Sequence, residues 1–106
     1  MPFHSLLQPD KLIHEPARLA ILTVLSSCAT ADFLFLQRVT GLTKGNLSVQ
    51  LSKLEEANLL TITKQFVGKK PSTTVSLTER GCQALADYWR TMDQIRKHAK
   101  LARNGK

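Results

Sequence analysis

Apolar positions recur every three or four residues over the first half of the chain, then every second residue for a stretch, then every three or four again. The first rhythm is that of helices packed by one face, and the second is that of strands. Pro9 and Asp10 open a short helical turn through Leu12 and Ile13. Glu15-Pro16 restarts the chain, because proline fits a helix's first turn but not its interior. Leu19, Ile21, Leu22 and Leu25 predict a helix over 17–25, and Ala31-Asp32 offers a cap for a second, short helix from Phe33 to about Val39. Gly41 supplies the left-handed residue that ends it. Thr43 caps a third helix over 44–57, which Asn58 stops in the same way as Gly41. Beyond Asn58, Leu60, Ile62, Lys64 and Phe66 alternate with Thr61, Thr63 and Gln65, which predicts a strand. Gly68-Lys69-Lys70-Pro71-Ser72 is a turn cluster, and Thr73 to Leu77 alternates again. Thr78 caps a last helix with Glu79 in its first turn, running to about Ala102 and leaving Arg103–Lys106 as a frayed tail.

The expected class is therefore mainly α (α+β): three helices, a two-stranded β wing and a long C-terminal helix, the order of a winged helix-turn-helix. One domain over 1–106 suits the length, with 79–102 set apart as a dimerisation helix. On a wheel of 100° per residue, Leu47, Leu51 and Leu54 form the buried stripe of the third helix. Gly45, Val49, Ser52, Lys53 and Glu56 point the other way, with Asn46 and Ser48 on the flanks. Residues 43–52 thus offer short polar groups and Lys44, with no acid before Glu55. Such a face suits a major groove, where base edges are read by short polar side chains at close approach. On this reading Thr43, Lys44, Asn46, Ser48, Val49 and Gln50 are the base-reading candidates, with Gln50 nearest the buried edge. Arg38, Ser52, Lys53, Lys69, Lys70 and Ser72 are the candidates for the DNA backbone. The alternative is a helical hairpin used only for packing.

Charge sharpens that picture. The net charge of +7 is not spread evenly: residues 1–60 hold five basic and five acidic side chains, whereas 61–106 hold ten and three. An excess of this kind favours an anionic partner, nucleic acid or membrane surface, with a lysine-rich solvated face as the alternative reading of the charge alone. Cys28 and Cys82 lie 54 positions apart with no C-x-x-C, and His4, His14 and His98 are scattered, so no metal site and no cofactor is expected. Both thiols are expected to be reduced and buried. Residues 1–8 lack the charge and apolar run of a signal peptide, and nowhere do 18 apolar residues run together, which predicts a cytoplasmic protein with no membrane partner. No Ser-His-Asp set, carboxylate pair or glycine-rich phosphate loop can be assembled, so no enzyme is expected.

Three stretches carry a resemblance. Residues 12–22, Leu-Ile-His-Glu-Pro-Ala-Arg-Leu-Ala-Ile-Leu, resemble the first helix of small ArsR- and MarR-like regulators. The run from Thr43 to Leu60 is similar to their recognition helix and its exit, and Val75–Gly81 to the corner after their wing. The resemblance covers roughly residues 10–90. It implies a transcriptional regulator with the third helix in the major groove of duplex DNA and a basic wing, 67–72, on the backbone. Asn58 replaces the usual glycine after the recognition helix. The wing lacks the aspartate-arginine pair common in MarR-type proteins, and the cysteine metal motif of many ArsR-type sensors is absent from the third helix.

In the last helix, Leu85, Tyr88, Met92, Ile95, Ala99 and Ala102 follow gaps of three and four, widened by Trp89. That is a coiled-coil-like stripe, and a body this small covers only its first two turns. The remainder would reach ~20 Å past the body, which predicts a homodimer through Leu85, Tyr88, Trp89, Met92, Ile95 and Ala99. Folding back onto helix one is the alternative. A small-molecule effector, if there is one, would sit at that interface or between it and the DNA-reading helices. A winged-helix module that binds protein through its third helix is the second reading of the whole chain. RNA binding ranks third, because single-strand readers usually display exposed aromatics.

Overall fold

The computed structural model describes residues 8–105, with side chains to Leu101. The signal-peptide reading of Met1–Leu7, His4, Lys106 and the side chain of Ala102 lie outside the described residues. The chain enters through the expected turn: the Asp10 carboxylate accepts the backbone N–H of Leu12 at 2.8 Å and of Ile13 at 3.4 Å. That turn drops Ile13 into the core. Helix α1 (Pro16–Leu25) starts on Glu15, whose carboxylate accepts the Arg18 N–H, and it buries Ala17, Ile21, Leu22 and Leu25. Helix α2 (Phe33–Thr40) starts on Asp32, whose carboxylate accepts the Phe35 N–H, and ends on Gly41 at φ 73°. Asp10, Glu15 and Asp32 are thus all occupied in capping backbone N–H groups.

Helix α3 (Lys44–Glu56) begins on Thr43, whose hydroxyl accepts the Asn46 N–H, and buries Leu47, Leu51 and Leu54 as the wheel predicts. It closes in a Schellman arrangement around Asn58, the one non-glycine residue with positive φ (62°) among those described. Asn58 N–H bonds Glu55 C=O at 2.9 Å and Leu59 N–H bonds Leu54 C=O at 3.0 Å, while Leu59 and Leu54 both enter the core.

The wing is an eight-pair hairpin of β2 (Leu60–Val67) and β3 (Lys70–Leu77), in register from Leu60 opposite Leu77 to Val67 opposite Lys70. The turn is shorter than its composition suggests. Only Gly68 and Lys69 form it, with φ 66° at Gly68, and Lys70, Pro71 and Ser72 belong to β3. Positive φ at the first central residue suits glycine and matches the twist of paired strands. Pro71 is tolerated because β3 is an edge there. A third strand was not expected: β1 (Ala31–Asp32) pairs with Val75 and Thr74 on the far side of β3, giving the order β1-β3-β2.

Helix α4 (Glu79–Gly105) starts on Thr78, whose Oγ1 accepts the Gly81 N–H at 2.9 Å and donates to Asn58 C=O at 2.6 Å. Its helical backbone includes Arg103–Gly105, which the sequence reading leaves as a frayed tail. Leu85 and Tyr88 are buried in the chain's own core, and the Tyr88 hydroxyl meets Nδ1 of His14 at 2.8 Å. These two therefore do not belong to a free dimer face, because α1 and the turn before it cover them. Beyond Met92, which still packs against the core, α4 leaves the body and runs on for ~20 Å at ~1.5 Å per residue, and the molecule has extents of 64 × 24 × 21 Å. The thiols also depart from expectation: Cys28 is half-buried and Cys82 is exposed, both free.

Candidate functional site

The outer face of α3 separates into a crest and two flanks. Gly45 and Val49 form the crest, with Val49 52% exposed. On the wing side, Lys44, Ser48 and Ser52 line a groove of about 480 Å³ whose opposite wall is Ile62, Lys64, Pro71, Ser72 and Thr73. Lys64 was not singled out by the sequence, although its place on the same strand face as Ile62 was available as a signal. On the α1 side stand Asn46, exposed, and Lys53, beside Leu12 and Glu56. Four of the six base-reading candidates, Lys44, Asn46, Ser48 and Val49, thus lie together on exposed α3 positions, and Thr43, exposed just before the helix, already spends its hydroxyl on the cap.

Gln50 is the exception. It is 9% exposed, and both ends of its amide are engaged. Arg18 Nη1 donates to its Oε1 at 2.8 Å, and its Nε2 donates to Asn46 Oδ1 at 3.0 Å. Arg18 is itself mostly buried, with Nε on the Leu12 carbonyl at 2.5 Å and Nη1 3.9 Å from the Glu15 carboxylate. The Asn46–Gln50 contact is an i,i+4 pair that sequence spacing permits. Arg18, 32 positions away, could not be found that way.

The backbone candidates are more dispersed. Lys69 and Lys70 are exposed at the wing tip, and Ser72 is half-buried in the groove wall. Arg38 is exposed on the last turn of α2 with its guanidinium 6.0 Å from the Phe35 ring centre. Between Phe33 and Thr78 the acids are Glu55 and Glu56, at the far end of α3, while Asp32, its carboxylate on the Phe35 N–H, lines the groove itself. Glu55 has a structural task the sequence did not reveal: its carboxylate accepts the Ile62 N–H at 3.0 Å, tying the root of the wing to the helix that precedes it.

On the outer half of α4, Trp89 is 47% exposed, Met92 is half-buried against the core, Ile95 is half-buried and Ala99 is exposed. Arg90, Asp93 and Arg96 line the same surface hollow as Trp89 and Met92, with ion pairs of Arg90 with Asp87 and of Arg96 and Lys97 with Asp93. The hydrogen bond from Arg90 holds the Asp87 carboxyl below its usual range, and that from Arg96 does the same for Asp93. Among the described residues no cluster of His, Cys, Asp or Glu could hold a metal, and no helix is long and apolar enough to cross a membrane.

A short helix-turn-helix followed by a two-stranded wing, with the second helix exposed beside it, defines the winged-helix class. The winged helix DNA-binding domain family matches residues 17–96, and the chain belongs to it. That is a family of DNA-binding domains, not of enzymes. An uncharacterized protein of Methanocaldococcus jannaschii is 28% identical over 88 residues, covering 83% of this chain and 96% of that one. A transcriptional regulator homologue from Pyrococcus horikoshii has the same fold, with TM-score 0.81 at 24% identity over 91% of this chain and 94% of its own. A MarR family transcriptional regulator from Silicibacter pomeroyi superposes with TM-score 0.64 at 21% identity, over 84% of this chain and 56% of its own.

Proposed function

We propose that the protein is a cytoplasmic, sequence-specific transcriptional regulator that binds duplex DNA as a homodimer. The observation that carries this reading is a continuous surface. It runs from the α3 crest across the groove of Lys44, Ser48, Ser52, Lys64 and Ser72 to Lys69 and Lys70 at the wing tip. Its lysines would neutralise phosphates, and the short side chains of α3 would reach base edges in the major groove. Lys44, Asn46, Ser48 and Val49 are the residues assigned to bases, with Thr43 fixing the start of the helix. Arg38, Ser52, Lys53, Lys69, Lys70 and Ser72 are assigned to the backbone, joined by Lys64 on the groove wall.

The apolar side chains of Trp89, half-buried Ile95 and Ala99 on the outer part of α4 support pairing with a second copy, since apolar surface left in water is unfavourable. A two-fold dimer would set two α3 helices about one DNA turn apart, ~34 Å, and favour a near-palindromic site. The test is a fluorescence titration against random duplex at two salt concentrations, followed by selection from a random library. Binding should weaken steeply with salt and one site should be enriched, with Asn46→Ala costing about 1–3 kcal/mol on that site. Absence of duplex binding at low salt would instead favour a protein-docking module on the same fold.

A further inference from the structure

The part-buried hydrogen-bonded chain that runs from Arg18 through Gln50 to exposed Asn46 decides more than packing. We infer that Arg18, acting through Gln50, fixes which edge of the Asn46 carboxamide faces the base pairs, so that Asn46 presents hydrogen-bond donors and selects a base edge rich in acceptors. The inference rests on the reading of α3 as the DNA-contacting helix and assigns Arg18 as a positioning residue that itself touches no base.

The argument is one of donors and acceptors. A guanidinium has five N–H donors and no acceptor, so whatever it bonds must accept. Arg18 is anchored on the Leu12 carbonyl through Nε, and its Nη1 reaches Gln50 at 2.8 Å. That contact forces Oε1 of Gln50 toward Arg18 and leaves Nε2 for Asn46. Nε2 is again only a donor, so at 3.0 Å it must meet Oδ1 of Asn46. Nδ2 of Asn46 is then on the side away from Gln50, on the exposed flank of α3.

An asparagine free of this restraint could turn its carboxamide by 180° and show either edge. Here the turn would set Nδ2 against Nε2, two donors facing each other beside a residue that is 9% exposed. Losing a part-buried hydrogen bond in that way disfavours the flipped form on the order of tenfold or more. In the major groove, guanine shows two adjacent acceptors, N7 and O6, whereas adenine sets an amino donor beside N7. The usual pairing of asparagine with adenine points both Oδ1 and Nδ2 at the base, and here Oδ1 is turned toward Gln50. The expected preference at the Asn46 contact is therefore guanine over adenine.

Library selection with the unaltered protein, Asn46→Ala, Arg18→Met and Gln50→Glu, each checked by thermal melting, tests this. Asn46→Ala should lose discrimination at one position per half-site by about five- to tenfold or more. Arg18→Met should lose it at the same position and add nothing in the Asn46→Ala background, while the slope of affinity against salt stays unchanged. A lysine- or arginine-to-phosphate contact would instead lower that slope by about one. Gln50→Glu keeps the shape and the Arg18 pairing but offers Asn46 an acceptor. The carboxamide should then turn, and the preferred base should switch to one bearing an amino group, adenine or cytosine.

If Asn46→Ala relaxes selection but Arg18→Met and Gln50→Glu keep the original guanine preference, the positioning role is overturned and the DNA reading stands. If Asn46→Ala selects the same site as the unaltered protein, Asn46 reads no base and both assignments fall. Should Arg18→Met not fold, Gln50→Glu alone decides.

Discussion

Replacing Gly81 with alanine sets two effects of opposite sign against each other, and the structure says which is larger. Gly81 is buried in the first turn of α4, where alanine would ordinarily gain up to about 1 kcal/mol of helix propensity. A Cβ built there, however, would lie 1.9 Å from the Leu59 carbonyl oxygen, 2.9 Å from its carbon and 3.2 Å from Cδ2 of Leu77. Carbon approaches a carbonyl oxygen to about 3.3 Å at the closest, so backbone must move by about 1.4 Å. That carbonyl already accepts the Thr78 N–H at 3.1 Å, in the corner that joins the exit of α3 to the start of α4. Overpacking costs about 1–3 kcal/mol and a part-buried donor left unpaired about 1–3 kcal/mol. After the helix gain is deducted, a net loss of about 1–5 kcal/mol is expected. For a domain of this size each kcal/mol lowers Tm by roughly 4–8 °C, read by far-UV circular dichroism. A Gly81→Ala protein that melts at or above the unaltered Tm would refute the close approach.

Gly45→Ala is the matched control: no atom lies within 4 Å of its added Cβ, so Tm should rise, by at most about 1 kcal/mol in stability, while the extra methyl on the α3 crest weakens duplex binding. Lys69→Ala with Lys70→Ala should weaken specific and random duplex about equally and reduce the salt slope by about one to two units; a loss confined to the specific site would contradict a backbone role. Ile95→Lys with Ala99→Glu, past the residue where α4 still packs on the core, should leave the protein folded but elute as a monomer with reduced affinity for a two-half-site duplex, because unpaired charge is costly only where a partner buries it. If the unaltered protein already sediments at ~12 kDa at tens of micromolar, the pairing through α4 fails.

Features decided by neighbours along the chain are legible without the fold. Asp10, Glu15, Asp32, Thr43 and Thr78 cap helices within three residues of themselves, and Gly41 and Asn58 stop helices through their own φ. The alternation of Leu60 to Phe66 and of Thr73 to Leu77 marks the wing, and the stripe of Leu47, Leu51 and Leu54 marks the inner side of α3. These signals are local, so each residue's own preference and its immediate partners suffice to read them. Only the tertiary structure decided which surface covers which. Ala31 pairs with Val75, Tyr88 meets His14, and Gln50 lies beneath Arg18. Periodicity tells that one face of a helix is apolar but not what will lie against it, which is why Leu85 and Tyr88 looked free for a partner and are not. Gln50 looked free for DNA by the same reasoning. It stands at the edge of the stripe, where a long polar side chain can face solvent or turn inward, and a guanidinium from α1 supplies the buried partner that makes the inward choice favourable.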